Sequence, residues 1–204
     1  MKRIILSLLT IALVSTTAVG ATRAYFTDSA RSNNTISTGS FDVNLGGTLP
    51  FAASNIAPGD SLEPKYLEVR NDGSLDMLFR AYVESIQNPA ADVGKTMADY
   101  LNVTVTLNPS GYSLPTGYTA YGPANQTIYT GPLAGLLGKE KALNNINAAF
   151  DDHWPLKPKY AAVYKIDVVF SSSASNELKW KTFSGNIVVE GTQFAHQTKE
   201  NIIW

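Results

Sequence analysis

The sequence alternates between apolar and polar residues in separate segments, and this period of two constrains the fold more than any other feature. The clearest run covers residues 101–107, where leucine and valine alternate with asparagine and threonine. Other runs cover residues 41–45, 67–70, 79–84, 164–170 and 187–189. Successive side chains of a strand point to opposite faces, so the pattern predicts strands with one buried and one solvated face.

Turn sequences separate the predicted strands, among them Pro58-Gly59-Asp60 and Asn71-Asp72-Gly73. Two other segments have a helical pattern. Residues 91–100 form a short candidate, and apolar residues recur at steps of three and four over residues 132–150, where Gly135 and Gly138 weaken the pattern. Strands at both ends of the chain therefore predict an all-β fold, a jelly-roll-like β-sandwich with one or two short helices inserted in its connections.

The N-terminal residues have the organisation of a secretory signal peptide. Lys2 and Arg3 precede an apolar run of about 11 residues, and small residues follow that run. A helix that spans a membrane needs about 20 apolar residues, so a membrane anchor is the weaker interpretation. Small-x-small cleavage sites end at Ala18 and at Ala24, and the pattern alone does not choose between them. We expect a secreted protein.

Composition excludes several classes of function. The chain of 204 residues has 16 basic and 17 acidic side chains and contains no cysteine. Binding to nucleic acid requires an excess of basic residues, so nucleic acid is not an expected partner. The absence of cysteine excludes disulfides, thiolate metal sites and cysteine nucleophiles, and stability must come from the core and from hydrogen bonds.

The residues that carry chemistry form no catalytic motif. His153 and His196 are the two histidines, and neither lies in a His-Glu-x-x-His sequence. Asp151-Asp152-His153 could supply metal ligands, although a polar loop is the simpler interpretation. No Gly-x-Ser-x-Gly sequence marks a serine nucleophile. We therefore predict that the protein is not an enzyme and has no catalytic residue, cofactor or metal ligand.

Tyrosines concentrate between residues 110 and 132, where glycine and proline separate them. They are Tyr112, Tyr118, Tyr121 and Tyr129. Exposed aromatic rings stack on sugars, so a carbohydrate platform is one interpretation. The interpretation that we prefer is a long loop whose rings pack locally on the sandwich or on a neighbouring subunit.

Three Asn-x-Thr triplets begin at Asn33, Asn102 and Asn125, and such triplets are acceptors for N-glycosylation. A chain rich in asparagine and threonine produces them by chance. They are candidate modification sites only.

Four motifs follow one another in the N-terminal half. The first is Gly20-Ala21-Thr22-Arg23-Ala24-Tyr25-Phe26-Thr27-Asp28. The others are Ser37-Thr38-Gly39-Ser40-Phe41-Asp42-Val43, Ile56-Ala57-Pro58-Gly59-Asp60 and Asn71-Asp72-Gly73-Ser74-Leu75. The first motif is similar to the processing region of the TasA/camelysin family of secreted biofilm-matrix fibre proteins, and the other three resemble motifs that follow in the same order in that family. The resemblance is good over residues 20–86, and residues 110–160 match nothing in it. Related archaeal bundling-pilus subunits share the family's fold.

The resemblance implies cleavage by a signal peptidase between Ala24 and Tyr25, which leaves residues 1–24 as the signal peptide. It further implies a β-sandwich domain over residues 40–204 that polymerises head to tail by donor-strand complementation, with residues 25–39 as the donor segment. Tyr25, Phe26 and Ile36 are its large apolar residues and the candidate anchors. The expected partner is a second copy of the chain, and other matrix or surface components could join an extracellular fibre.

Three alternatives remain at this point. Residues 25–38 could be an ordinary first strand of their own subunit. The protein could be a secreted metallopeptidase, because family members have been described with that activity, although the two distant histidines argue against it. It could also be a cell-surface carbohydrate-binding module built around the tyrosine-rich stretch.

Overall fold

The structure is a computed structural model that describes residues 27–31, 43–47, 51–53, 56–92, 94–144 and 155–194, together with residues 202 and 204. Its described residues form eleven strands. These are β1 (Thr27–Arg31), β2 (Val43–Gly47), β3 (Phe51–Ala53), β4 (Lys65–Asn71), β5 (Met77–Gln87), β6 (Leu101–Leu107), β7 (Thr119–Ala120), β8 (Gln126–Pro132), β9 (Leu143–Asn144), β10 (Tyr160–Phe170) and β11 (Phe183–Gln193).

The strands form two sheets. Sheet I has the order β1-β11-β5-β9, and β3 also pairs with β11. Sheet II has the order β2-β4-β10-β6-β8, and β7 also pairs with β10. The pairing is antiparallel apart from the short parallel ladder between β7 and β10. This arrangement confirms the prediction of an all-β, sandwich-like fold.

The core lies between the two sheets. Sheet I contributes Phe79, Ile187 and Val189, and these side chains are less than a tenth exposed. The ring of Phe79 meets the edges of Tyr121 and Tyr164 at centroid distances of 6.5 and 6.2 Å. Such edge-to-face contacts stabilise a core beyond the area that they bury. Phe79 therefore connects sheet I to Tyr164 of sheet II.

The predicted strands are confirmed as β2, β4, β5, β6, β10 and β11. In β6 the four apolar residues are buried, while Asn102 is exposed and the two threonines are partly exposed. This is the burial that a period of two predicts. Residues 161–164 of β10 are buried without alternation, so both faces of this interior strand of sheet II are covered there.

The helical predictions are wrong for the described residues, which contain single 3-10 turns instead of α-helices. In the first segment the turn covers only Met97–Asp99, where the Asp99 carboxylate accepts from the backbone and hydroxyl of Thr96. In the second segment, turns at Leu133–Leu136 and Lys139–Lys141 precede β9. Gly138 separates these turns with a φ of +85°, which a continuous helix does not allow. Residues 145–150 lie outside the described residues.

No helix in this described part of the chain is long and apolar enough to cross a membrane. The four 3-10 helices there have three or four residues each. The extended elements of the described residues are therefore all β-strands.

Candidate functional site at the β1 edge of sheet I

Strand β11 is the framework of the candidate site. It pairs with β5 from Ser184 to Gln193, so one of its edges is fully occupied within the subunit. Ile187 and Val189 face the core, and Val188 points to the opposite face, where it is also buried. A strand covered on both faces is rigid, so its second edge is a fixed template for another strand.

The second edge of β11 is occupied by two short N-terminal strands. β1 pairs antiparallel with residues 188–192, from Thr27 opposite Thr192 to Arg31 opposite Val188. β3 pairs with residues 183–185 further along the same edge. β1 is the outermost strand of sheet I. One edge of β11 is thus completed by a five-residue strand from the beginning of the chain.

Charged side chains gather on the outer face of sheet I beside this edge. Nε and Nη2 of Arg80 donate to Oε2 of Glu190 at 2.7 and 2.5 Å. Nζ of Lys139 lies 2.7 Å from Oε1 of Glu190, and the Tyr82 hydroxyl donates to the same oxygen at 3.2 Å. In register, Glu190 lies opposite Ser29 of β1. The cluster holds β5 and β11 together next to the position of β1.

The pKa values of this cluster follow from its contacts. Burial opposes ionisation of Glu190, but the hydrogen bonds from Lys139 and Arg80 outweigh burial and lower the pKa of that carboxyl. Burial, followed by the charge of Glu190, raises the pKa of Tyr82, whose hydroxyl therefore remains a donor. The hydrogen bond to Glu190 raises the pKa of Lys139. At neutral pH the cluster contains a carboxylate between two cations.

The C-terminal residue also reaches this face. The indole of Trp204 stacks on the Arg80 guanidinium, with 4.8 Å between the guanidinium carbon and the ring centroid. Such cation–π contacts contribute roughly 0.5–2 kcal/mol, depending on burial. Arg80 is therefore held by Glu190 and by Trp204.

Most of the residues assigned to the donor segment lie outside the described residues. This holds for the cleavage site at Ala24 and Tyr25, for the anchors Tyr25, Phe26 and Ile36, and for the glycosylation candidate Asn33. Within that segment the structure describes β1, which pairs with β11 of its own chain. The predicted cleavage and anchor positions stay predictions.

The two other glycosylation candidates lie on the surface. Asn102 is exposed on β6. Asn125 is exposed in a turn with a φ of +54°, and its Oδ1 accepts from the backbone N–H of Ser110 at 2.6 Å. Both side chains are accessible, and their modification stays a prediction.

The tyrosine-rich stretch packs locally, as in the interpretation that we preferred. Tyr112 stacks on Tyr66 with a centroid distance of 5.3 Å and donates to Glu68 at 2.6 Å. Burial, followed by the hydrogen bond to Glu68, raises the pKa of Tyr112 to about 12. The remaining three tyrosines also have partners: Tyr118 donates to Asp72, Tyr121 is buried in the core, and Tyr129 donates to the Pro132 carbonyl. The stretch is not an open aromatic platform.

The metal donors do not form a site within the described residues. No group of three or more histidine or carboxylate side chains there lies close enough to hold a metal ion. The sequence candidates Asp151, Asp152, His153 and His196 lie outside the described residues. The described donors therefore do not fit the catalytic metal of a metallopeptidase.

A small apolar cavity lies between the sheets near β9. Its volume is about 30 Å³, and Leu67, Val83, Val105, Leu143 and Ile166 are among the residues that line it. Water needs several polar partners in a cavity, and this lining offers none. The cavity is a packing defect too small for a substrate.

The described residues define a class of protein: an all-β, two-sheet sandwich in which an N-terminal edge strand completes one sheet. The chain belongs to the Camelysin metallo-endopeptidase family, whose model matches residues 1–151. The match includes β1 and ends before β10 and β11. It confirms the resemblance to the TasA/camelysin family, whose members are secreted or cell-surface proteins. No curated protein sequence matches the chain.

The β11 edge was not predicted as part of a site, although one signal for it exists in the sequence. The predicted alternation at residues 187–189 used Ile187 and Val189 only, but Val188 between them is apolar as well, as in the buried run 161–163 of β10. Such a run is typical of a strand that is buried on both faces. It marks β11 as an interior strand, and the topology places β1 beside it.

Proposed function

We propose that the protein is a secreted structural subunit that polymerises into extracellular fibres by donor-strand complementation. The observation that carries the proposal is the pairing of β1 with residues 188–192 of β11. β1 is short, lies at the edge of sheet I and belongs to the beginning of the chain. These are the properties of a strand that one subunit lends to the next.

The energetics of strand pairing allow β1 to be exchanged between subunits. The β11 edge is completed by five register pairs whether β1 comes from the same subunit or from a neighbour. Each hydrogen bond contributes roughly 0.5–1.5 kcal/mol net, and an unpaired buried group costs more than a bond gains. The edge must therefore be filled, and a neighbour can supply the strand without any new type of contact.

The connection between β1 and β2 is long enough for exchange. Residues 32–42 join β1 to β2, which lies in the other sheet. A connection of this length reaches up to about 36 Å when fully extended, which spans a small domain. Head-to-tail insertion of β1 is a heterologous contact that does not close on itself, so it produces a filament.

Processing would control assembly. Cleavage after Ala24 leaves Tyr25 as the first residue, two positions before β1 begins at Thr27. Residues 1–24 of the precursor would extend directly from the end of the donor strand and hinder its insertion. Export and assembly are then coupled, because the donor is free only outside the cell.

Engineered disulfides test which subunit supplies β1. Thr27 and Thr192 are opposite each other, and the chain has no cysteine of its own, so Thr27→Cys with Thr192→Cys introduces a single possible bridge. We expect oxidised fibres of this variant to give a ladder of covalent multimers on a non-reducing gel. Intact fibres that yield only the monomer band would show that β1 stays in its own subunit.

A matched control uses the other edge of the same strand. Glu84 of β5 and Asn186 of β11 are opposite each other within the subunit. We expect Glu84→Cys with Asn186→Cys to form only an intramolecular bridge under the same conditions. Multimers from this control would indicate random oxidation between neighbouring fibres.

Metallopeptidase activity is the second candidate, because the family description names a metallo-endopeptidase. The described residues offer no set of donors that fits a metal, so no catalytic step is derived from them. Metal analysis of the secreted protein and a proteolysis assay with and without a chelator test this candidate. Stoichiometric zinc with chelator-sensitive proteolysis would support it and would count against a purely structural role.

A further inference from the structure

Two large apolar side chains are exposed together at the end of sheet I away from β1. Ile86 is 68% exposed and Trp180 is 66% exposed, and these are the highest values among the large apolar residues that the structure describes. Both line one open cleft of about 700 Å³. This volume lies within the range of ligand sites, about 300–1,000 Å³.

Ile86 lies in a β-bulge at the exposed end of β5. Gly185 lies opposite Ser85 and the preceding Ser184 lies opposite Gln87, so Ile86 is the extra residue on β5. Residues 84–87 of β5 are all exposed. Ile86 therefore points into solvent where the end of the strand extends past the core.

A strained backbone exposes Trp180. Its φ is +69°, a conformation that bulky residues rarely adopt. The Lys179 ammonium lies 5.1 Å from the indole centroid, a contact that restrains the ring without burying it. Residues in such conformations cluster at functional sites, because a strain that packing does not repay needs another reason to persist.

The floor of the cleft is held rigid. The side chain of Asn88 donates to the Thr96 hydroxyl at 3.0 Å and accepts from the backbone N–H of Ala98 at 3.1 Å. These bonds tie the end of β5 to the 3-10 turn at Met97–Asp99. The Asn88 side of the cleft is thus preformed, which reduces the entropic cost of binding a ligand.

We infer that this cleft is a binding site for β-linked glycans with equatorial hydroxyl groups, and we name it the Trp180 cleft. The flat face of such a pyranose ring presents polarised C–H bonds, which are attracted to the negative face of an indole. Its hydroxyl groups need donors and acceptors around the ring. Gln87, Lys181 and Thr182 line the cleft and supply an amide, an ammonium and a hydroxyl group.

The exposed area favours a glycan over a protein partner. Trp180 and Ile86 together offer on the order of 300 Å² of surface. A stable protein interface needs about 800 Å² from each partner. Lys181 lines the cleft, Lys179 contacts the indole, and no carboxylate lines the cleft. Ammonium groups donate hydrogen bonds, and the hydroxyl groups of a glycan accept them.

The Trp180 cleft is separate from the β1 edge. Thr182 precedes β11, whereas β1 pairs with β11 from residue 188 onward, roughly 20 Å along the strand. Glycan binding therefore does not depend on the fibre proposal. Evidence against fibre formation would not count against glycan binding, and the reverse also holds.

The test is calorimetric titration of the secreted protein with cellohexaose and with chitohexaose, with the α-linked polymer dextran as the negative probe. We expect one of the two β-linked hexasaccharides to bind with a Kd on the order of 0.1–1 mM, a range that is typical of a shallow site with few contacts. We expect Trp180→Ala to weaken binding at least tenfold and Ile86→Ala a few-fold. Val169→Ala removes an exposed apolar side chain on sheet II and should leave binding unchanged.

A second variant separates binding from folding. Glycine adopts positive φ without strain, and this gain offsets the larger entropy that glycine has in the unfolded chain, so we expect Trp180→Gly to abolish binding without lowering Tm. A lower Tm would show that the indole has a structural role. Absence of binding to both hexasaccharides, equal binding by Trp180→Ala, or a Trp180→Ala effect on self-association alone would overturn the proposal.

Discussion

Glu190→Gln perturbs the charged cluster beside the β1 edge with almost no change of shape. The carboxylate accepts from Arg80, Lys139 and Tyr82, and an amide keeps only one of its two acceptor oxygens. The Arg80 side chain is only 15% exposed, so water replaces the lost partner poorly. Lys139 is 57% exposed and is solvated in the variant. The loss of stability in Glu190→Gln therefore comes mainly from the weakened contact with Arg80.

The exposed fractions of Arg80 and Lys139 set the expected loss of unfolding free energy in Glu190→Gln. Hydrogen bonds to charged groups contribute roughly 1.5–3 kcal/mol each, and an exposed ion pair contributes about 0–1 kcal/mol. Glu190→Gln should lower the free energy of unfolding by about 2 kcal/mol, which corresponds to a fall in Tm of about 4–8 °C for a domain of this size. Thermal unfolding of the monomeric subunit at neutral pH measures the shift.

Asp167→Asn is the matched control. Asp167 pairs with Lys165 at 2.8 Å on sheet II, and both side chains are about one-third exposed. The same change of acid to amide should lower Tm there by no more than about 4 °C. If both variants melted at the same temperature, the Glu190 cluster would be worth no more than an exposed pair, and the reasoning would be refuted.

The stabilisation by Glu190 should also depend on pH. The pKa of Glu190 in the folded state lies below its ordinary value of 4.5, so folding favours the ionised form. The resulting stability is complete above the pKa of the unfolded state and is lost as the pH falls through the folded pKa. The difference between native protein and Glu190→Gln in urea unfolding should therefore be constant near neutral pH and should narrow below about pH 4.5.

The other predictions concern processing and assembly. Mass spectrometry of the secreted protein should find Tyr25 at the N-terminus, and a start at Val19 would contradict cleavage after Ala24. Fibres should melt above monomers at equal protein concentration, because association of folded subunits through the exchanged strand stabilises the folded state. Equal values of Tm would indicate surface association only. A peptide of residues 25–38 should bind and stabilise a subunit that lacks that segment. Ile36→Asp in the peptide should weaken this rescue more than Ser32→Asp, since a charge in an apolar groove costs several kcal/mol.

The sequence predicts the long strands because each has an alternating face that must be buried. β6 has the predicted bounds of residues 101–107, and β5, β10 and β11 extend beyond their predicted cores. The short strands β3, β7 and β9 have two or three residues, which is too few for a periodic pattern. Their pairing partners are set by the tertiary fold.

The helical pattern failed for a physical reason. Leu133 and Leu136 are both buried, as a helical face requires, but a spacing of three also fits one turn of 3-10 helix. Leu137 is already extended and forms a bridge with Val83 of sheet I. Gly135 and Gly138 flank Leu136-Leu137 and allow the backbone to leave the turn. Tertiary contacts therefore outweighed the helical pattern of the sequence.

The candidate sites differ in how far the sequence could predict them. The donor segment follows from motifs near the N-terminus, whereas its partner edge depends on topology. The Trp180 cleft includes a bulge at Ile86 and a positive φ at Trp180. The isolated glycine Gly185 lies opposite the bulge and is a sequence signal for it. No glycine marks the positive φ in Lys179-Trp180-Lys181.

Because the two sites lie at opposite ends of β11, we expect glycan binding and fibre formation to be lost independently in two variants. Trp180→Ala removes a side chain that has no part in the pairing of β1, so this variant should form fibres and should lose glycan binding. Deletion of residues 25–38 removes β1 and leaves the residues that line the Trp180 cleft, so that variant should bind glycan without forming fibres. Electron microscopy and calorimetry on the same preparations measure the two properties. Loss of both by the deletion variant would show that the cleft forms only in the assembled fibre. Loss of both by Trp180→Ala would show that the indole contributes to assembly or to the folding of sheet I.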